Sequence, residues 1–481
     1  MQLRPEARPR VKAGSDAEHR SDKRASQIAR RIEADIIRRG WPIGQSLGSE
    51  QALQERYRVS RSVLREAVRL VEHHQVARMR RGPNGGLLVC EPDAAPATHA
   101  IIIYLEYLGT TVGDLLDARL LLEPLAASLA AEQIDEAGID RLRAVLRTEE
   151  PRDEFHAALA EQSKNPVLQL FIDILIRLTV RYAEHSRLAS ASDALAAIDR
   201  RHHEHADIVA AVTAGDSAQA KTLSERHAES VTSWLQDHQP PRRARKRSGL
   251  HHEAPQGKLA EVLANAIRDD IATSGRRIGE VFGTEVALLE RYRVSRSVLR
   301  EAVRLLEYHA VAKMRRGPGG GLVVAEPQAQ ASIDTIALYL QYRKPRGEDL
   351  RLVRDAIEID NVAKVVKRHD APEVRAFLDT HRLITEEASD DPRVAGMAEF
   401  LFHTGLAELA GNAVLDLFLR IIVEAFRRHW ASTEQPIPSH SDIAHVQRAH
   451  LRIIEAIADG DDSLARYRTR RHLDASASWW L

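Results

Sequence analysis

The sequence predicts a mainly α protein in which a basic block ending in a hairpin and an acidic, all-helical block each occur twice. Three observations carry this. The segment RYRVSRSVLREAVRL stands at 56–70 and recurs unchanged at 291–305, and ARMRRGPNGGLLVCEP (77–92) is matched by AKMRRGPGGGLVVAEP (312–327). An offset of 235 residues is far longer than a solenoid repeat, so it marks two copies of an ordinary protein joined head to tail. Charge is segregated in the same pattern. The 481 residues hold 69 Lys+Arg and 69 Asp+Glu, yet residues 1–92 carry 19 basic against 11 acidic side chains, 236–257 carry 5 against 2, and 258–327 carry 12 against 9. The compensating acid lies in 93–235 (−10) and 328–481 (−4), which suggests modules with different partners. Third, these acidic blocks are rich in Ala, Leu, Arg and Glu and almost free of β-branched alternation, which predicts helices throughout.

Composition excludes several classes. Hydrophobic residues make up 44% and charged residues 29%, a globular balance. No run approaches the roughly 18 apolar residues of a membrane span, and MQLRPEARPR lacks the apolar core of a signal peptide. The single cysteine, Cys90, excludes an internal disulfide framework and any multi-cysteine zinc module. The expectation is a soluble cytoplasmic protein with no membrane partner.

Taken in order, residues 1–22 predict an unstructured tail and 23–92 the first basic block. Ile28, Ile32 and Ile36 place one apolar face on a helix over 25–39. Ser49 can cap a short helix ending at Tyr57, Arg58-Val59 makes a tight break, and Ser60 can cap a second helix from 61 to about 73. On that second helix Val63, Leu64, Ala67, Val68 and Val71 form the inner stripe, leaving Arg61, Ser62, Arg65 and Arg69 outside. Short strands near 76–80 and 87–89 flank the turn GPNGG. Helix, helix-turn-helix and hairpin together describe a winged helix-turn-helix domain. Arginines at the start of the second helix suit major-groove reading, because a guanidinium can bond O6 and N7 of guanine together, while Ser60 and Ser62 can bond phosphate. Arg80 and Arg81 supply charge to a wing whose Gly82 lets it approach the DNA backbone. The same roles fall in copy two on Ser295, Arg296, Ser297, Arg300, Arg316 and Gly317, within a block spanning 258–327.

Both basic blocks resemble the DNA-binding domain of GntR-family bacterial transcription regulators. The residues that carry the resemblance are Ser49-Glu50, Val59-Ser60-Arg61, Arg65-Glu66-Ala67 and Gly82–Gly86, and then Thr284-Glu285, Val294-Ser295-Arg296, Arg300-Glu301-Ala302 and Gly317–Gly321. Gln51 and Val286 depart from the family pattern, which has an arginine after the acidic pair.

In the acidic blocks histidine recurs at matched spacing: His205 and His227 in 93–235, and His450 and His472 in 328–481, each pair 22 residues apart across a Gly-Asp turn. That places each pair on consecutive antiparallel helices. FHAALAEQSKNPVL (155–168) and FHTGLAELAGNAVL (402–415) add His156 and His403. This pattern resembles the FCD effector domain of the FadR-like GntR subfamily, an antiparallel helical bundle. In its metal-binding members one carboxylate and three histidines hold a divalent ion. The resemblance implies such a site in copy two from Glu399, His403, His450 and His472, taking Zn, Ni, Mn or Fe. In copy one Arg152 occupies the carboxylate position; Asp153 is a substitute, giving the weaker set Asp153, His156, His205 and His227. Arg119 with Glu123 and Arg354 with Glu358 match the family's effector-pocket helix, where an inward arginine can bind a ligand carboxylate bidentately. A surface ion pair is the alternative for each.

The function this implies is an effector-responsive, sequence-specific DNA-binding regulator, most simply a repressor released by a small organic acid. A metal-independent acyl-CoA sensor and a helical metalloenzyme using Glu399, His403, His450 and His472 are the alternatives; no additional general base accompanies those residues, so no enzyme is expected. Residues 236–257 are rich in Pro, Gly and Arg and predict a flexible linker with a reach of roughly 25 Å. That is long enough to let the two halves pair as an intrachain pseudo-dimer on double-stranded operator DNA, with further homodimerisation left open.

Overall fold

The computed structural model describes residues 14–80, 82, 85–92, 98, 101–102, 104–105, 107–147, 154–183, 191–237, 259–274, 276–308, 311–315, 317, 319–326, 329–386, 392–432 and 439–480. Two compact units emerge: residues 1–94 with 428–434, and residues 95–427 with 435–481. Among the described residues no helix is long and apolar enough to cross a membrane.

The first unit contains α1 (Gly14–Arg38), α2 (Glu50–Tyr57), α3 (Arg61–His73), β1 (Ala77–Arg80) and β2 (Gly86–Val89). Ile28, Ile32 and Ile36 of α1 are buried, as are Leu64, Ala67 and Val71 of α3, so the two apolar stripes close one core. The Ser49 hydroxyl accepts from the Ala52 amide at 3.2 Å and Ser60 accepts from Val63 at 3.5 Å, capping α2 and α3 as their types favour. Arg58 turns the chain between them in the left-handed region, φ 53°. Antiparallel β1 and β2 form the wing, and Ser46 adds a bridge to Leu88. Gly86 is required there: its φ is 141°, and a Cβ would sit 2.6 Å from the Gly48 carbonyl.

In the second unit, after helical residues at 98, 101–102, 104–105 and 107, come α4 (Val112–Gln133), α5 (Glu136–Arg147), α6 (Glu154–Gln162), α7 (Pro166–Ala183), α8 (Ala191–Thr213) and α9 (Ser217–Asp237). A second winged module follows, with α10 (Leu259–Thr273), β3 (Val281–Gly283), α11 (Glu285–Tyr292), α12 (Arg296–Tyr308), β4 (Ala312–Arg315) and β5 (Gly321–Val324). Its three strands pair antiparallel in the order β3-β5-β4. Then come α13 (Ala329–Arg343), α14 (Gly347–Val366), α15 (Pro372–Glu386), α16 (Pro392–Ala410), α17 (Ala413–Ser432), α18 (His440–Ala458) and α19 (Asp462–Trp480).

The two helical bundles are built on matching positions. Phe155, Leu159, Ile208, Val212 and Ala220 fill one core; Phe402, Leu406, Ile453, Ile457 and Ala465 fill the other. They also meet each other. Phe171 stacks on Phe418 with ring centroids 4.0 Å apart. Asn165 caps α7 through its Oδ1 and donates from Nδ2 to the Asp349 carbonyl at 3.0 Å. Asn412 does the same for α17 and donates to the Asp114 carbonyl at 2.9 Å. The two contacts are reciprocal, each bundle's asparagine reaching the matching carbonyl of the other.

Two sequence expectations need correcting. α1 starts at Gly14, so residues 14–22 of the expected tail are helical. GSDAEHRSD has no proline and is mostly tolerated in helices, but it lacks the apolar period by which the helix was located. The strand β3 was not anticipated either, since its three residues are too few to show alternation. Of the expected linker, residues 238–257 lie outside the described residues, and 236–237 end α9.

Candidate functional site

In the first module Arg61 and Arg65 are exposed at the start of α3, where the cap at Ser60 fixes the helix beginning. Both converge on one carboxylate. Arg61 Nε lies 3.0 Å and Arg65 Nε 2.8 Å from Glu50 Oε1. The bonds from Arg61 and Arg65 outweigh what little burial there is and hold the Glu50 carboxyl below its usual range. In the second module Arg296 lies 3.2 Å and Arg300 4.0 Å from Glu285 Oε1, a looser version. Ser60 and Ser62 hydroxyls are 3.1 Å apart, and Ser295 and Ser297 are 2.9 Å apart, all exposed. Gly82 (φ 103°) and Gly317 (φ 98°) turn the wings. Arg81 and Arg316 lie outside the described residues. The role of Glu50 and Glu285 as a shared clamp on both arginines was missed in the sequence; the fixed Ser-Glu and Thr-Glu pairs were the available signal.

The second helical bundle brings Glu399, His403, His450 and His472 together as expected, all buried and offering ligand atoms within 4.8 Å of one another. Glu399 and His403 share a face of α16; His450 comes from α18 and His472 from α19. His403 Nε2 is 3.1 Å from His472 Nε2, and both are 3.3 Å from Glu399 Oε1. His450 Nε2 lies 3.0 Å from Glu399 Oε2, yet among the described residues neither atom has a hydrogen bond of acceptable geometry. Three imidazole nitrogens and a carboxylate that converge in a buried site suit a cation, so the donor set fits a divalent metal. The carboxylate of Glu358 backs His403 on Nδ1 and turns Nε2 inward, the usual second layer of a metal site.

Protonation in the metal-free centre follows the same geometry. Burial pushes His403 down, but the carboxylates of Glu358 and Glu399 outweigh it and hold the ring up at about 10. Burial drives His450 down to about 4. Glu399, whose burial alone would raise it, is held well below the usual carboxylate range by His472 and His450.

The first bundle also gathers its histidines. His156 on α6, His205 on α8 and His227 on α9 bring ring nitrogens within 4.8 Å. His205 Nε2 and His227 Nε2 are 3.2 Å apart. His227 Nδ1 meets Glu204 at 2.8 Å, a partner that the second bundle replaces with Ala449. Asp153 and Arg152 lie outside the described residues.

The two pocket arginines are both buried, which removes the surface-pair alternative, but they point differently. Arg119 Nε donates to Glu123 at 2.6 Å, Nη1 to Thr179 at 3.1 Å, and Nη2 approaches His156 Nε2 at 3.4 Å. Arg354 turns to Asp355 (2.9 and 3.1 Å) and packs over Phe426. The cause is local sequence: Leu120 stands where copy two has Asp355, and Thr179 where it has Phe426. Beside the second centre a narrow cleft is lined by Glu358, Asn361, Phe402, His403, Ile453 and Thr469. Asn361 is buried there, with neither side-chain polar atom hydrogen-bonded among the described residues. It carried no sequence signal, because a lone asparagine in a helical run resembles any surface residue.

Winged helix-turn-helix modules of this kind define a class of DNA-binding proteins. Comparison with known proteins places the chain within it. The family described as bacterial regulatory proteins, gntR family, matches residues 24–84, and the FCD domain matches twice, at 114–230 and 349–475. The HTH-type transcriptional regulator LutR of Bacillus subtilis (strain 168) is 31% identical over 205 residues, covering 40% of this chain and 92% of that protein. The Uxu operon regulator of Haemophilus influenzae is 27% identical over 222 residues, covering 43% and 79%. A solved chain described as Streptococcus agalactiae GntR matches with 23% identity and a TM-score of 0.32, covering 44% of this chain and 99% of that one. The protein belongs to the GntR family, carries FCD domains, and is a DNA-binding transcription regulator.

Proposed function

We propose that this chain is a single-chain counterpart of a dimeric FadR-like regulator: a tandem duplication in which each half holds a DNA-reading module (23–92 and 258–327) and an FCD domain (93–235 and 328–481). The observation that carries this is the reciprocal contact of the two FCD domains, with Asn165 reaching Asp349, Asn412 reaching Asp114, and Phe171 stacked on Phe418. Like domains paired inside one chain supply the two-fold arrangement that a palindromic operator matches. Arg61, Arg65, Arg296 and Arg300 read bases, and Ser60, Ser62, Ser295, Ser297 and the wings meet phosphate. The protein acts in the cytoplasm as a repressor, released when a small organic acid binds the FCD pair more tightly in the arrangement that cannot hold DNA.

Glu399, His403, His450 and His472 would hold one divalent ion. When bound, that ion fixes α16, α18 and α19 to one another and offers a positive charge to a carboxylate effector. Activation of water there needs a base at an open coordination position, and the relatives named above are regulators, which favours sensing over catalysis. The test is capture of genomic DNA by the purified chain followed by sequencing. Fragments that share two like half-sites support the reading. Fragments with no common sequence contradict it.

A further inference from the structure

The first DNA-reading module is tied to the end of α17 by a buried charged network, built on a glutamate that the second module replaces with arginine. We propose that Glu33 and Arg428 are positioning residues for the first recognition helix, α3, acting through His74, and that only one of the two reading modules is held in this way. This rests on the regulator reading above and adds residues on which the base-reading arginines depend.

Residues 428–434, which include the last turn of α17, belong to the first unit together with residues 1–94. There Arg428 Nη1 donates to Glu33 Oε2 at 2.7 Å, and His74 Nδ1 lies 2.6 Å from Glu33 Oε1. Glu33 is 2% exposed, and both partners are buried with it. Burial alone would raise the Glu33 carboxyl, but His74 and Arg428 outweigh it and hold it below its usual range. A carboxylate this deep cannot exchange either partner for water, and losing one would strand a buried charge, so the network fixes distances.

His74 links the network to DNA reading. It is the C-cap of α3: its amide donates to the Leu70 carbonyl at 2.9 Å, and Gln75 beyond it turns the chain in the left-handed region, φ 59°. Glu72 in the same last turn accepts from the Met79 amide of β1 at 2.7 Å, so the start of the wing is fixed at the same place. Arg61 and Arg65 stand at the other end of this 13-residue helix. A helix moves as a rigid element, so anchoring its last turn sets where both guanidinia stand, and a reading surface placed in advance loses less freedom on binding.

The second module keeps the frame but not the charge. Tyr57 donates to Asp35 at 2.6 Å and Tyr292 to Asp270 at 2.7 Å, which aligns α1 with α10. On that alignment Arg268 stands where Glu33 does, and the matched segments 155–168 and 402–415 put Arg181 where Arg428 stands. Neither position offers a carboxylate, so the same network cannot be built in the other half.

The experiment compares the full chain with Glu33→Gln, Arg428→Met and the double variant, by fluorescence anisotropy on duplexes carrying one or two half-sites of the captured operator. Each single variant should bind the two-site duplex more weakly, so that the preference for two half-sites over one shrinks at least fivefold. Affinity for the one-site duplex should stay within twofold of the parent. The double variant should lose no more than the larger single loss, because both residues act in one network. A second readout needs no DNA: amide hydrogen exchange at residues 70–76 should quicken at least tenfold in each variant and stay that of the parent in α2 and at 304–308. An unchanged preference in both single variants, tighter binding to the two-site duplex, or unchanged exchange at 70–76 would overturn the proposal. Quickening that spreads through α2 would mark a role in folding alone and overturn it too, and equal quickening at 304–308 would remove its one-sidedness. A parent chain that binds neither duplex contradicts the regulator reading, while the exchange readout still decides whether the network holds α3.

Discussion

Arg61 and Arg65 share one acceptor, Glu50, and that arrangement sets what each residue does before DNA arrives. A clamp of this kind limits the rotamers an exposed arginine samples, and a guanidinium positioned in advance loses less entropy on meeting guanine. Replacing Arg61 or Arg65 with Ala should therefore cost about 1–3 kcal/mol in operator affinity and relax base preference at one half-site. Fluorescence anisotropy against the captured operator and its single-base variants measures both; affinity and preference equal to the parent would contradict the assignment. The cluster of Glu399, His403, His450 and His472 makes a second residue-scale prediction. With no ion bound, His403 keeps its proton up to about pH 10 while His450 is neutral above about 4. At pH 7 an incoming ion must displace the His403 proton but none from His450. Raising the pH lowers the protonated fraction of His403, so metal affinity should rise with pH toward 10. Calorimetry in buffers of different ionisation enthalpy should show His403 contributing about one proton released per ion. No buffer dependence would show that His403 is already neutral.

At the scale of elements, the FCD–FCD contact depends on the ends of α7 and α17. Asn412→Ala removes a helix cap and a bond across the contact together, and should destabilise the chain by about 1–2 kcal/mol. Truncating Phe171 or Phe418 to Ala should cost about 3–5 kcal/mol each. Because the rings stack on one another, the double variant should lose less than the two single losses together, by about 0.5–1.5 kcal/mol. Urea unfolding of the four proteins reads this coupling, and simple additivity would place the rings in separate environments. These same elements show what the sequence discloses. The helices of the winged modules, their caps and the Arg58 break could be read because each rests on local rules, cap chemistry and a 3.6-residue period; the four residues that meet in the second bundle were named through the resemblance to the FCD domain. Asn165 and Asn412 stood in the matched segments SKNPVL and AGNAVL, yet their role across the contact depends on helices 184 and 298 residues away. No short-range pattern reports that. The inward turn of Arg119 was hidden for a related reason, since it follows from Leu120 and Thr179 jointly, and Thr179 lies on another helix. β3 escaped because three residues cannot display a period.

At the scale of the molecule, one chain carries two recognition helices with the same sequence from Arg61 to Leu70 and from Arg296 to Leu305. A homodimer assembled from separate subunits falls apart on dilution, whereas a tethered pair keeps an effective concentration near millimolar at any dilution. Thermal stability of the chain should for that reason be independent of protein concentration between nanomolar and micromolar, which scanning fluorimetry can follow; a melting point that rises with concentration would reveal a dimer of chains as the stable form. The central claim is that one polypeptide fills one two-half-site operator. Native mass spectrometry of the complex at low nanomolar concentration tests it most directly. The account predicts one chain per duplex, with a duplex holding a single half-site bound at least tenfold more weakly. Two chains per duplex, or equal affinity for one and two half-sites, would contradict it.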